Sequence, residues 1–407
     1  MKLIKYILIV FTCFSFLSCT KELLDNSSFV LSKPILTDSG VVINWAIPKI
    51  GNFKYYEILR SIDGNSFQKI KTDSTSINRT QYLDIAYPLG GNVTYRIALF
   101  ANNIYVSNNV NINIPRPIEL NFDPSNAYIM PELGKMLFFK GGWNDAYAYL
   151  FDYKNNSILK QINIPIKTTG YAFGFGKFTD KYEFYFNDGW GFKMQVYDAL
   201  SFQLNTSVNF SASYTQVFSV CDRYIFYYDF DHIRIIDRET LAISEYWSVN
   251  NYFNKLYYIK SQNKLIGFTS DQIVLITLGN TGNVLGESIK KYQNSTAYNY
   301  LEGTNYIYGG YSNWKIIDIQ NWEEHVLFDE NGKEINFSLF HNSNNIIYAY
   351  SNNIKKLYCY STDNLKLLKV VPTRVDPRIL LSDDNYLYLL QSNFSGSTII
   401  DKIKLIK

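Results

Sequence analysis

Y-I-F-Y-Y (224–228), K-L-I-G-F (264–268) and Y-I-Y-G-G (306–310) are short apolar stretches at a constant interval, with Ile225, Ile266 and Ile307 each 41 residues apart. The series extends both ways. M-L-F-F (136–139) and Y-E-F-Y-F (182–186) come before it, and I-I-Y-A-Y (346–350) and Y-L-Y-L-L (386–390) follow, with Ile347 and Leu387 at steps of 40. A second mark comes shortly after most of these stretches. It is an apolar strand that often ends in Asp and a polar turn, as in L-F-D-Y-K-N-N-S-I from Leu150, Q-V-Y-D-A-L-S-F from Gln195, R-I-I-D-R-E-T-L from Arg234 and K-I-I-D-I-Q-N-W from Lys315. Aromatic and β-branched runs of this length read as strands, and the spacing leaves room for four of them per period. A fixed period of this size marks a repeat architecture.

Four short antiparallel strands cannot bury both faces of their sheet alone, so each unit must stack on its neighbours around an axis. The repeat resembles seven-bladed β-propellers of the WD40 or YVTN-like kind. It departs from WD40 proper, having neither a Trp-Asp nor a Gly-His dipeptide. The seventh unit stops after its third strand, I-I-D-K-I-K-L-I. Residues 118–122 (I-E-L-N-F), just past Arg116-Pro117, have no earlier strand in their own unit. They are expected to supply the missing outer strand, closing the ring and protecting an open edge.

The preceding segment, residues 29–115, reads as a separate all-β domain. V-V-I-N-W (41–45), Y-Y-E-I-L-R-S (55–61) and Y-R-I-A-L-F (95–100) are strand patterns, and Asp63-Gly64 suits a hairpin turn. The segment resembles a fibronectin type III domain, a β-sandwich. Trp45 matches its core tryptophan, and Tyr95 falls on the strand that carries the tyrosine corner. S-I-D-G-N-S-F (61–67) resembles a sialidase Asp box, but it occurs once and in the sandwich, so no glycosidase follows from it. The fold class is therefore all-β: a fibronectin type III-like sandwich over 29–115, then a seven-bladed propeller over 116–407.

Residues 1–18 carry Lys2 and Lys5 ahead of an apolar core too short to span a bilayer, the pattern of an export signal. Its end, Phe16-Leu17-Ser18-Cys19, resembles a bacterial lipobox, and Thr20-Lys21-Glu22 resembles the surface-export signal of Bacteroidota lipoproteins. The resemblance implies a lipid on Cys19, a lipidated tether over 19–28, and an outer-membrane address at the surface of a Gram-negative cell. The chain has four cysteines. Cys13 leaves with the signal, and Cys221 and Cys359 read as unpaired core thiols.

In propellers, the turns between second and third strands share one face with the connections between blades, and that face usually binds. Here it offers Trp143, Asp145, Asp188, Trp190, Phe230, Asp231, Tyr311, Trp314 and Phe394, with Tyr171, Tyr214, Tyr252 and Arg374 on the connections. Flat rings beside carboxylates and amides suit a glycan, whose C–H faces stack while its hydroxyls hydrogen-bond, or a peptide. The same Asn, Asp and Gly are also ordinary turn formers. No Gly-x-Ser-x-Gly, His-Glu-x-x-His or P-loop occurs. Asp229-Phe230-Asp231-His232 and Asp329-Glu330-Asn331-Gly332 lack full ligand sets and read as hairpin turns, so no metal or cofactor is expected. A net charge of +3 over 407 residues leaves no nucleic-acid footprint. The expectation is a non-catalytic surface lipoprotein that binds a glycan or peptide. The alternatives are a scaffold for envelope proteins and a propeller-type polysaccharide hydrolase or lyase.

Overall fold

The computed structural model describes residues 23–25, 29–37, 39–141, 145–165, 172–187, 193–209, 218–229, 232–248, 253–292, 295–310, 314–393 and 396–406. Cys19 and residues 1–18, expected from sequence to be an export signal, lie outside them. The chain divides into two compact units, the first ending at Arg116 and the second beginning at Pro117.

The first unit has two sheets. One orders Ile35–Thr37, Gly40–Asn44 and Gln81–Asp84. The other orders Leu23–Asp25, Ile104–Val106, Gly91–Phe100, Tyr55–Ile62 and Gln68–Asp73, with Val110–Ile114 also paired to Gly91–Phe100. Alternation along the strands sends Val41, Ile43 and Trp45 from one sheet, and Tyr56, Ile58, Tyr95, Ile97 and Leu99 from the other, into one core. Trp45 packs edge-on against Tyr56, with ring centroids 5.5 Å apart. The Tyr95 hydroxyl donates to Asp84 Oδ2 at 2.8 Å, and Arg60 Nη1 donates to the same oxygen at 2.8 Å. Asp63 (φ 50°) and Gly64 (φ 79°) turn the hairpin, and Gly serves there because it reaches positive φ without a Cβ clash.

Within the tether drawn over residues 19–28, Leu23–Asp25 pairs in parallel with Ile104–Val106. Ile104–Val106 would otherwise be a sheet edge, with a row of unpaired N–H and C=O groups able to accept any extended segment nearby.

Among the described residues, the second unit forms seven four-stranded antiparallel sheets. In six of them the strands follow chain order. The last combines Ile379–Ser382, Tyr386–Ser392 and Thr398–Lys404 with the early strand Ile118–Leu120. That strand pairs antiparallel with Thr398–Lys404, setting Ile118 opposite Ile400 and Leu120 opposite Thr398. Leu120 and Phe122 also enter an apolar cluster shared by the first sheet (Met136, Phe138, Tyr149, Phe151) and the last (Tyr388, Leu390, Ile400). The final sheet thus packs on the first.

The second strand of each sheet lies between neighbouring sheets, so both of its faces are covered. It reads as a continuous apolar run for that reason, most fully in Ile346–Ser351, where every residue is buried. The first strands approach one another across adjacent sheets: Ala172–Phe178 meets Phe218–Val220, which meets Lys255–Ile259, while Ile379–Ser382 meets both Leu339–Ser343 and Asn126–Met130. They line the axis of the stack.

The recurrent Asp at the end of the third strand closes the turn to the fourth. Its Oδ1 accepts backbone N–H groups two or three residues on, from Lys154 and Asn155 at Asp152, Leu200 and Ser201 at Asp198, and Glu239 and Thr240 at Asp237. A residue at positive φ ends several of these turns, at Phe202, Leu241, Trp322 and Leu365. Asp329 does the same at a hairpin, where Oδ1 accepts the N–H groups of Asn331 and Lys333, both at 2.8 Å. Cys359 is buried, Cys221 is half-buried, and both are free thiols. Burial pushes the Cys359 thiol up to about 12, which keeps it protonated and unreactive at neutral pH.

Candidate functional site

Of the rim residues expected from sequence, Trp143, Asp188, Trp190, Phe230, Asp231, Tyr311 and Phe394 lie outside the described residues, as do Tyr171, Tyr214 and Tyr252. Asp145 opens the third strand of the first sheet, opposite Pro165, and is half-buried. Trp314 is half-buried too, but its ring stacks on Tyr308 (centroids 6.2 Å apart) and Phe340 (6.1 Å). It joins the apolar cluster between the fifth and sixth sheets, so its main contacts are packing contacts. Arg374 donates from Nε to Asp401 Oδ2 at 3.0 Å in a part-buried ion pair.

A cavity of about 740 Å³, lined by none of the expected rim residues, lies where the sixth and seventh sheets meet the segment after Ile118–Leu120. Asp123, Ser338, Asn352, Asp376, Arg378 and Gln391 line it. Its frame is hydrogen-bonded. The hydroxyls of Ser392 and Thr398 donate to Asp123 Oδ1, and Arg378 Nη1 stands 3.7 Å from Asp123 Oδ2. The Tyr350 hydroxyl donates to Asp376 Oδ1 at 2.9 Å, and the Asp376 N–H donates to Gln391 Oε1 at 2.7 Å. The Arg378 side chain is 71% exposed.

A second cavity, of about 400 Å³, lies among the first strands along the axis. Tyr128, Phe175, Lys255, Tyr257, Tyr300 and Glu302 are among the residues that line it. Lys255 Nζ donates to Tyr298 O at 3.0 Å and to Asn299 Oδ1 at 2.8 Å, and burial lowers its pKa. Glu302 is accessible from the cavity yet surrounded by protein on most sides, and this desolvation raises its carboxyl above the usual range. Burial, and then the charge of Glu302, pushes the Tyr128 and Tyr257 hydroxyls up to about 12. Glu302 and Tyr300 also border a cavity of about 530 Å³ at the turns between first and second strands, with His341 and Asn342.

His341 Nε2 is 2.8 Å from Ser382 Oγ, and burial lowers the imidazole pKa to about 4. Unfolded, it titrates near 6.5. Above that pH both states are neutral there and the group has no effect on stability. Below it the unfolded chain takes up a proton that the folded chain refuses, so stability falls as pH drops from about 6.5 towards 4. The loss is about 1.4 kcal/mol per pH unit, or roughly 3 kcal/mol in all. Urea unfolding at pH 7.5 and 4.5 should show a smaller acid loss for His341→Gln than for the parent chain. Equal losses would remove His341 as a cause.

Sequence reading missed Glu302, Tyr128, Tyr257, Asp123, Asp376, Arg378 and Gln391. Glu302 sits in a turn at the opposite end of the sheets from the surveyed face. The others look like ordinary strand or connection residues, and only the ring brings them together. Among the described residues, no group of three or more His, Cys, Asp or Glu side chains is gathered for a metal.

No protein-family model matches the chain, and no curated protein does. Solved structures do. Hydrazine synthase of Kuenenia stuttgartiensis aligns with a TM-score of 0.51 at 12% identity, over 70% of this chain and 96% of that one. The propeller domain of Cps50 (Swd1) from Myceliophteria thermophila aligns with a TM-score of 0.48 at 10% identity, over 68% and 96%. The dihydro-heme d1 dehydrogenase NirN, in complex with DHE, aligns with a TM-score of 0.46 at 13% identity, and the chain spans 59% of that protein while 65% of this one is covered. At 12% identity the likeness to hydrazine synthase speaks of the fold alone; the seven stacked four-stranded sheets make the second unit a β-propeller.

Proposed function

We propose that this chain is a non-catalytic lipoprotein, anchored by acyl chains on Cys19 in the outer membrane and facing the cell surface, whose propeller captures a glycan. In this reading the first unit is a fibronectin type III-like spacer. Its two-sheet core around Trp45 and the Tyr95–Asp84 hydrogen bond support that likeness.

The observation that carries the binding role is the polar cavity of about 740 Å³ on the face where propellers usually bind. Its two carboxylates, Asp123 and Asp376, already accept hydrogen bonds from Ser392, Thr398 and Tyr350. Carboxylate oxygens fixed in place by these bonds keep further lone pairs for the hydroxyls of a ligand. Asn352, Gln391 and the exposed guanidinium of Arg378 add the amide and cationic groups that hold a hydroxylated, partly anionic chain.

A glycan array followed by titration tests this. Arg378→Ala should weaken the best glycan by roughly 10- to 100-fold, the worth of a charged hydrogen bond, and Gln391→Ala by less. Unchanged affinity in both variants would remove the cavity as the site. A protein captured stoichiometrically from crosslinked cells, with no sugar affinity, would instead favour the envelope scaffold.

A further inference from the structure

The axial cavity is separate from the face cavity, and its chemistry points elsewhere. Among the described residues, no hydrogen bond or ion pair reaches the carboxylate of Glu302. Lys255, the nearest candidate cation lining the same cavity, spends its ammonium on Tyr298 O and Asn299 Oδ1. Glu302 is exposed to the cavity, and the protein around it raises its carboxyl above the usual range.

A carboxylate open to a cavity and without a donor suits a group that carries several N–H bonds and a positive charge. Tyr128 and Tyr257 line the same cavity as Glu302, and tyrosine faces attract ammonium groups. Residues from the first, fourth and fifth sheets thus line one cavity.

We infer that the axial cavity is a binding site for a small primary amine, its ammonium held by Glu302 beside the rings of Tyr128 and Tyr257. The cavity volume of about 400 Å³ suits a ligand of monosaccharide or short-diamine size. This assignment does not depend on the glycan reading of the face cavity.

Calorimetric titration of the full chain with cadaverine and with glucosamine tests it, with N-acetylglucosamine as the uncharged counterpart. At least one of the two amines should bind, and N-acetylglucosamine should bind at least roughly tenfold more weakly. Cadaverine binding without glucosamine binding would define the ligand as an aliphatic amine, and the reverse would define it as an amino sugar. Glu302→Gln should weaken the bound amine by roughly tenfold or more while leaving any glycan affinity of the face cavity intact. Tyr257→Leu should weaken it about threefold, and Tyr257→Phe, which keeps the ring, much less. Circular dichroism would check that each variant folds. The inference is overturned if neither amine binds, if N-acetylglucosamine binds as well as the amines, or if Glu302→Gln binds like the parent chain.

Discussion

Arg238→Ala should lower the unfolding free energy by about 3–5 kcal/mol, the usual cost of stranding one partner of a buried ion pair. The Arg238 and Glu183 side chains are only 3% and 7% exposed, and the guanidinium donates directly to the carboxylate. Glu183 belongs to the second strand of the second sheet and Arg238 to a turn of the third, so the pair bridges neighbouring blades. The guanidinium also lies 4.7 Å from the ring centre of Phe178 and 4.9 Å from that of Tyr185. Burial lowers its pKa to about 10, which still leaves it charged at neutral pH. The carboxylate has other donors, the Tyr185 hydroxyl at 3.1 Å and Asn205 Nδ2 at 3.2 Å, but no other cation pairs with it among the described residues.

The pair is itself imperfect, because Arg238 Nε and Nη1 are buried without acceptors. Replacing both partners by apolar groups of similar volume, Arg238→Met with Glu183→Leu, should therefore restore most of the loss and bring the chain within about 1 kcal/mol of the parent. Urea unfolding of the single and double variants separates the two effects. A double variant as unstable as Arg238→Ala would mean that lost packing, and not the stranded charge, sets the cost.

Phe122→Ala should be comparably severe, at about 3–5 kcal/mol, the range for truncating a buried Phe. Phe122 is 2% exposed, stacked on Tyr149 with ring centroids 3.9 Å apart and planes 10° from parallel, and edge-on to Phe138. It follows the strand Ile118–Leu120, which is the outer strand of the last sheet. Losing this anchor frees the strand to peel away and exposes the edge of Thr398–Lys404 to pairing between chains. The variant should unfold at lower urea and also associate more in sedimentation at protein concentrations where the parent stays monodisperse. A loss below about 1 kcal/mol would show that the three backbone-paired residues hold the closure without the ring of Phe122.

The propeller was legible because its second strands are covered on both faces, which writes an uninterrupted apolar run such as I-I-Y-A-Y into the chain once per blade. The orphan strand I-E-L-N-F was legible for a related reason: a blade of three strands needs a fourth. Leu23–Asp25 was not, since three residues added to a sheet edge need no pattern of their own. Trp314 was read as rim from its place in a turn, but it adjoins the strand Lys315–Asp318 and packs sideways onto Tyr308 and Phe340. The axial site was out of reach in principle. Tyr128, Tyr257 and Glu302 come from three separate periods, and spacing along the chain says nothing about which side chains meet across a ring.

The parallel pairing of Leu23–Asp25 with Ile104–Val106 bears on how an acylated chain would stand on its bilayer. Only residues 20–22 separate Cys19 from that strand, and an extended backbone covers at most about 3.6 Å per residue. With acyl chains on Cys19, the six-stranded sheet would ride within roughly 14 Å of the membrane surface. A protein so acylated would stand on a short foothold instead of swinging on a leash, with Leu23–Asp25 held near the lipid headgroups.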